Sequence, residues 1–102
     1  MTERLTPKDR TNELLDTALD LAVKHGWRAL THASVAQAAG VSQGLVVARL
    51  GTKTELLRDV MRRAVNRGVV AVVAEGLAVG DRQAKRAGAA LREAAAQHVR
   101  GA

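Results

Sequence analysis

The chain has 102 residues, 47% of them hydrophobic, with one Trp, no Phe and no Tyr, a length and composition that bound it to a single domain with a modest aliphatic core. It has no cysteine, which excludes disulfides and thiolate metal sites and suits a reducing cytoplasm. Its 16 Lys and Arg against 10 Asp and Glu give +6, a balance that favours polyanionic partners such as nucleic acid, and the excess is carried by residues 51–102.

Thr6 followed by Pro7, with Asp9 in the first turn, is a helix start, and Leu14, Ala18, Leu21 and Ala22 recur at helical spacing until His25-Gly26-Trp27 ends the run. This predicts a first helix over about residues 7–25. Thr31 caps a short helix near 32–39 that Gly40 closes, Ser42 caps a third near 43–50, and Thr52 or Lys53 opens a fourth. In the fourth, apolar or small residues fall in adjacent pairs every four positions, from Leu56 and Leu57 through Gly68 and Val69 to Gly76 and Leu77, so one long helix is expected. Up to Arg67 its other face carries Arg58, Asp59, Arg62, Arg63 and Asn66, more in the manner of a solvated surface than of a site. Beyond Gly68 the stretch VVAVVAEGLAV has Glu75 as its one charge, and a helix apolar all round is buried. The valines also admit a β-strand, but the four-residue pairing favours helix. Val79-Gly80-Asp81 makes a turn, and Asp81 caps a fifth helix with a stripe of Ala84, Ala87, Gly88, Leu91, Ala94, Ala95 and Val99.

No segment alternates strictly between apolar and polar residues, and no stretch approaches the roughly 18 apolar residues of a membrane span. The expected product is a soluble all-α protein, 1–102 as one domain, divided into a head over 1–52 and a helical hairpin over 53–102. The hairpin's small side chains bury little area each. It is therefore expected to pack on a second copy of itself through Val69, Val72, Val73, Leu77, Ala84, Gly88, Leu91 and Ala95.

Residues 32–50 have the anatomy of a helix-turn-helix: Val35, Ala36 and Ala39 where two helices cross, Gly40 at the reversal, Val41 as apolar plug and Ser42 as cap of the second helix. The surrounding residues 12–61 resemble the N-terminal DNA-binding head of the TetR family of bacterial transcriptional repressors. The resemblance rests on Gly26-Trp27 at the end of the first helix, Thr31 before the second, Ala39-Gly40-Val41-Ser42 at the turn, and Gly51-Thr52-Lys53 followed by Glu55 and Leu56 at the start of the fourth. It implies a TetR-like three-helix head followed by a long fourth helix and a short C-terminal helix used for dimerisation. It further implies a homodimeric repressor on a palindromic double-stranded DNA operator, at work in the bacterial cytoplasm on the nucleoid.

Two departures from the family qualify this expectation. Family members usually carry a larger second domain that takes an inducer, whereas about 40 residues remain here, so no small-molecule ligand is expected. The recognition helix is also unusually apolar, with Leu45, Val47, Ala48 and Arg49 where hydroxyl, aromatic and His residues are usual. Gly44, Leu45, Val47 and Ala48 can still read bases by contact with thymine methyl groups, and Gln43 can bond adenine or a phosphate. Thr31, His32, Ala33, Ser42, Arg49, Thr52 and Lys53, with Arg4 and Lys8 from the N-terminal segment, complete the candidate DNA contacts. His32 is as readily a packed side chain as a contact, and Arg49 is also favourable to the helix end on its own. Of Leu45 and Val46, one must be core, and Val46 is the better fit. No metal or other cofactor is expected, since His25, His32 and His98 lack partners at ligand spacing, and no catalytic motif is present. A dimeric adaptor that has lost specific DNA binding is the alternative function.

Overall fold

The computed structural model describes residues 6–100, with side chains to His98, and folds them into seven helices. The first four begin where short polar side chains satisfy free N–H groups. In α1 (Pro7–His25) the Thr6 hydroxyl accepts from the Asp9 N–H at 3.1 Å while Asp9 accepts from the Thr6 N–H. Thr31 and Ser34 make the same reciprocal cap for α2 (His32–Ala39), as do Thr52 and Glu55 for α4 (Lys53–Arg67). Ser42 alone caps α3 (Gln43–Leu50). The predicted bounds of α1, α2 and α3 coincide with those observed, and α4 starts where expected.

The expected long fourth helix is instead two helices, α4 and α5 (Val70–Ala78). Gly68 adopts a left-handed conformation, φ +68°, that its lack of a side chain makes inexpensive. Its N–H and that of Val69 then bond the Val65 and Ala64 carbonyls, closing the last turn of α4 and redirecting the chain. The pairing pattern ran through this break because glycine counted as a small member of the stripe. The β-strand alternative for the valine run is likewise replaced by helix. The expected fifth helix also divides. α6 (Arg82–Lys85) starts on Asp81, whose carboxylate accepts from the Ala84 N–H, and α7 (Ala89–Arg100) starts after Gly88, whose carbonyl accepts from the Arg92 N–H.

α1 packs on α2, α3 and α4, and α2 lies against α3; α5 packs on α4, α6 and α7. The apolar interior is continuous from Leu14, Ala18, Val35, Val46 and Leu50 in the first three helices through Leu56, Val60 and Met61 of α4 to Val72 and Val73 of α5. Val46 is fully buried and Leu45 half-buried, as expected. Close approach of α4, α5 and α6 depends on Gly76, where a Cβ would come within 2.8 Å of the Ala84 Cβ. No helix among the described residues is long and apolar enough to cross a membrane.

This packing alters the reading of the C-terminal helices. Val72, Val73, Ala84 and Ala95, expected at a dimer interface, are buried by the chain's own helices. With essentially no surface left to lose, they cannot contribute contact area to a second copy unless the fold opens. Val69, Leu77 and Leu91 stay half-buried and Gly88 exposed. The small side chains of α6 and α7 are thus used within one chain, where α5 and α7 cover one another.

Two polar junctions tie α1 and the loop after it to α4 and α5. Glu75 of α5 reaches that loop, where its carboxylate accepts from the Trp27 N–H at 2.7 Å and the Arg28 N–H at 2.8 Å, with the Arg28 guanidinium at 3.6 Å. The Trp27 indole N–H donates to the Leu57 carbonyl of α4 at 2.8 Å. On the opposite flank of α1, Asp16 and Asn12 accept from the two terminal nitrogens of Arg63 at 2.8 Å, and Asp16 also accepts from Arg67. Arg63, expected in a solvated face, is therefore a brace between α1 and α4 with only 16% of its side chain exposed.

Candidate nucleic-acid interface

The outer face of α3 is built by burying its inner one. Val46 and Leu50, one turn apart, point into the core, so Gln43 with Val47, and Gly44 with Ala48, stack one turn apart on the exposed side. Val47 is 46% exposed, one of three large aliphatic side chains left so accessible among the described residues. With Ala48 and Gly44 beside it, it leaves this side of α3 without charge up to Arg49. Gly44 is informative for a different reason. A Cβ there would meet nothing nearer than the Ser42 hydroxyl at 4.0 Å, and its backbone is ordinary helix. The fold does not require glycine at this position; what the glycine provides is a bare patch of backbone at the start of α3.

Around that face stand groups suited to phosphate. The hydroxyls of Thr31, Ser42 and Thr52 each accept from a backbone N–H of the helix they cap, which leaves the protons of Thr31 and Ser42 to donate outward, while the Thr52 hydroxyl also serves the Glu55 carboxylate. The starts of α2, α3 and α4 add the positive ends of helix dipoles. His32 settles part of the arrangement: its Nε2–H donates to the Gly51 carbonyl at 2.8 Å. Because a carbonyl only accepts, this fixes the tautomer and binds the first turn of α2 to the junction of α3 and α4. Thr31, His32 and Ala33 are thereby brought beside Thr52 and Lys53. Half-buried His32 is a strut with Nδ1 left over. Arg49 and Lys53 are exposed and take part in none of the ion pairs among the described residues. Lys8 is exposed at the start of α1, and Arg4 lies outside the described residues.

Glu55, one turn into α4, is held below the usual carboxylate range, chiefly by the Thr52 backbone N–H, then by the Thr52 hydroxyl, with Arg58 adding to the effect. It stays anionic at neutral pH and is committed to the cap, so the acid nearest Lys53 in the chain does not neutralise it.

A three-helix unit with a capped, outward-facing second helix of the turn, an exposed apolar and amide face, and a rim of free hydroxyls and cations has the design of a major-groove reader. Residues 14–60 match the family of bacterial regulatory proteins described as the tetR family. The chain carries a TetR-family DNA-binding head. Searches of curated proteins and of solved structures return no match. The matched span runs from Leu14 in α1 to Val60 in α4, so the TetR-type head takes in all of α2 and α3 together with the caps and the His32 strut.

Several residues that matter to this head were missed in the sequence. Glu75 lies outside the matched span and yet holds the loop between α1 and α2. Its signal was there: a single carboxylate kept in an otherwise apolar run needs a partner. Trp27 was legible as the aromatic of the Gly26-Trp27 pair that ends the first helix, but nothing local points its indole N–H at the Leu57 carbonyl. Among the described residues no group of three or more His, Cys, Asp or Glu side chains is placed to hold a metal.

Proposed function

We propose that this protein is a sequence-specific transcriptional repressor that acts in the cytoplasm as a homodimer on an inverted-repeat operator. The observation that carries this reading is the exposed face of α3, where Gln43, Gly44, Val47 and Ala48 combine one amide, bare backbone and methyl groups within the span that matches the TetR-type head. Val47 and Ala48, with half-buried Leu45 beside them, suit thymine methyls, and Gln43 suits an adenine edge. Thr31, Ser42, Thr52, Lys53 and Arg49 supply phosphate contacts that position the helix without reading sequence. Gly44 lets the backbone of α3 approach the bases closely.

Dimerisation rests on the apolar surface that remains: Val69, Leu77 and Leu91, with Gly88 allowing close approach. Two such heads reading one face of the duplex would sit on half-sites about 34–36 Å apart. α5, α6 and α7 close on their own valines and alanines, which supports relief by salt, dilution or competition rather than by a ligand held between them.

The test is selection of bound fragments from a random duplex library, followed by titration of the best fragment with thymine replaced by uracil. An inverted repeat whose affinity falls on loss of the methyls supports the reading. Equal binding to operator, uracil-substituted operator and random duplex would show that α3 reads no bases. The exposed, uncharged face of Val47 and Ala48 would then favour the second reading, a dimeric adaptor that pairs with related regulators.

A further inference from the structure

Apart from Lys53, the basic excess of the second half of the chain is not used by the DNA-reading face. It gathers along α4 and α6, around two adjoining hollows that share Arg62 and Asn66. One, of about 380 Å³, runs toward α1 and is also lined by Leu15, Asp59, Arg63 and Arg67. The other, of about 280 Å³, runs toward α6 and is completed by Val65, Gln83 and Arg86. The acids at their edge are already engaged: Asp59 by Arg58 at 3.1 Å and by Arg62, and Asp16 by Arg63 and Arg67. Arg63 is a wall, its two terminal nitrogens bonded to Asp16 and Asn12 of α1. Arg62, whose Nε donates to the Gln83 Oε1 at 3.2 Å, and Arg67, paired with Asp16, still keep about half their side-chain surface, 52% and 50%, and with it further N–H groups. Arg86 is exposed and, like its neighbours Arg82 and Lys85, joins none of the ion pairs of the described residues.

We infer that this α1–α4–α6 surface docks an acidic, extended segment of another protein, with carboxylates on Arg86 and on the remaining N–H groups of Arg62 and Arg67, main-chain groups on the Asn66 amide and the Gln83 NH₂, and an aliphatic side chain over Val65. Three features favour a peptide over a second duplex. The hollows are of side-chain size, whereas a duplex is a convex rod that meets ridges. Their lining mixes arginines with amides and aliphatic groups, the mixture that recognises an acidic peptide, rather than the hydroxyls and helix starts that cradle phosphates in the head. And α6 packs on α4 and α5, while α3 packs chiefly on α1 and α2; the reading face is on α3, with Lys53 at the first residue of α4, whereas Arg62, Asn66 and Arg67 lie in the last two turns of that helix, so the two surfaces can be occupied together. A carboxylate-rich partner would be captured by charge at long range and fixed by the amides at short range.

The experiment uses the full chain, ¹⁵N-labelled, titrated with a short peptide alternating glutamate and leucine, with a lysine–leucine peptide and a short random duplex as the other arms. The expected result is saturable binding of the acidic peptide, with resonance shifts at Arg62, Asn66, Gln83 and Arg86 and none at Gln43 or Lys53. Arg62→Gln with Arg86→Gln should weaken the peptide at least about tenfold, while Lys53→Ala leaves it unchanged. Both arginines are exposed, and mapping on the parent chain gives the answer even if the double variant fails to fold. Shifts confined to α3 and Lys53, undiminished peptide binding in a folded double variant, or displacement of the peptide from these residues by the duplex would each overturn the inference.

Discussion

Replacing Glu75 by Gln keeps the shape of the side chain that ties α5 to the head and removes its charge. As a carboxylate, Glu75 accepts two backbone N–H bonds, at 2.7 Å from Trp27 and 2.8 Å from Arg28. Hydrogen bonds to a charged group contribute about 1.5–3 kcal/mol each and neutral ones about 0.5–1.5. The amide can accept only through its single oxygen and turns an NH₂ group toward the other N–H. The Arg28 N–H is exposed and finds water; the Trp27 N–H is partly buried, and the carboxylate is 25% exposed, so solvent screens part of the loss. The expected cost is about 1–2 kcal/mol, or roughly 5–15 °C in melting temperature for a domain of this size. Arg28→Ala removes only an ion pair at 3.6 Å from a guanidinium that is 65% exposed, and such a pair contributes about 0–1 kcal/mol. Thermal unfolding followed by circular dichroism should therefore rank parent and Arg28→Ala close together, with Glu75→Gln clearly below. If Glu75→Gln melts with the parent, or if Arg28→Ala is the more damaging, the carboxylate does not act through the backbone of the loop.

Gly44→Ala should raise stability by about 0.5–1 kcal/mol, because the fold has room for the methyl and alanine is the better helix former; a lower urea midpoint would mean that α3 needs this glycine. Glu55 is held anionic by its cap, so the stability it contributes is fully present above the ordinary carboxylate range and is lost as pH falls through its lowered pKa. The difference in urea midpoint between parent and Glu55→Gln should accordingly be largest near neutral pH and close in acid, and a gap that widens in acid would reverse the assignment. Leu77→Glu should give a folded monomer by light scattering, whereas Val73→Asp, which buries a charge in the chain's own core, should unfold the protein; a folded monomer from Val73→Asp would mean that α5 is an interface after all.

The head was legible because its signals are local. A cap residue, a turn glycine and a three-to-four-residue apolar stripe lie within one helix of each other, so Thr31, Gly40, Ser42 and Thr52 placed α2, α3 and the start of α4 at their observed bounds. The same apolar spacing misled beyond Arg67. Gly68 is equally a small member of a packed stripe and a left-handed helix stop, and only the bonds to the Ala64 and Val65 carbonyls decide between them. The destination of the C-terminal alanines was also hidden. Periodicity shows that a face is buried, not what buries it, and the chain's own helices, with α7 folded back on α5, cover the Val72, Val73, Ala84 and Ala95 that had suggested a contact with a second copy. Long-range polar partners were out of reach for the same reason: Glu75 is 48 residues from Trp27 and Arg63 is 47 from Asp16.

The central claim is that α3 reads bases while its rim holds phosphates, and the most direct test compares Gln43→Ala with Lys53→Ala by fluorescence anisotropy on a selected operator and on random duplex over a range of salt. Gln43 lies on the reading face, so its loss should weaken the operator by about 1–3 kcal/mol, leave random duplex unchanged and keep the salt dependence of the parent. Lys53 lies on the rim, so its loss should weaken both duplexes alike and lower the salt slope by about 0.9, the value of one phosphate contact. If the two variants lose affinity in the same proportion on operator and random duplex, with Gln43→Ala also lowering the salt slope, the face of α3 is not a reading surface and the account fails.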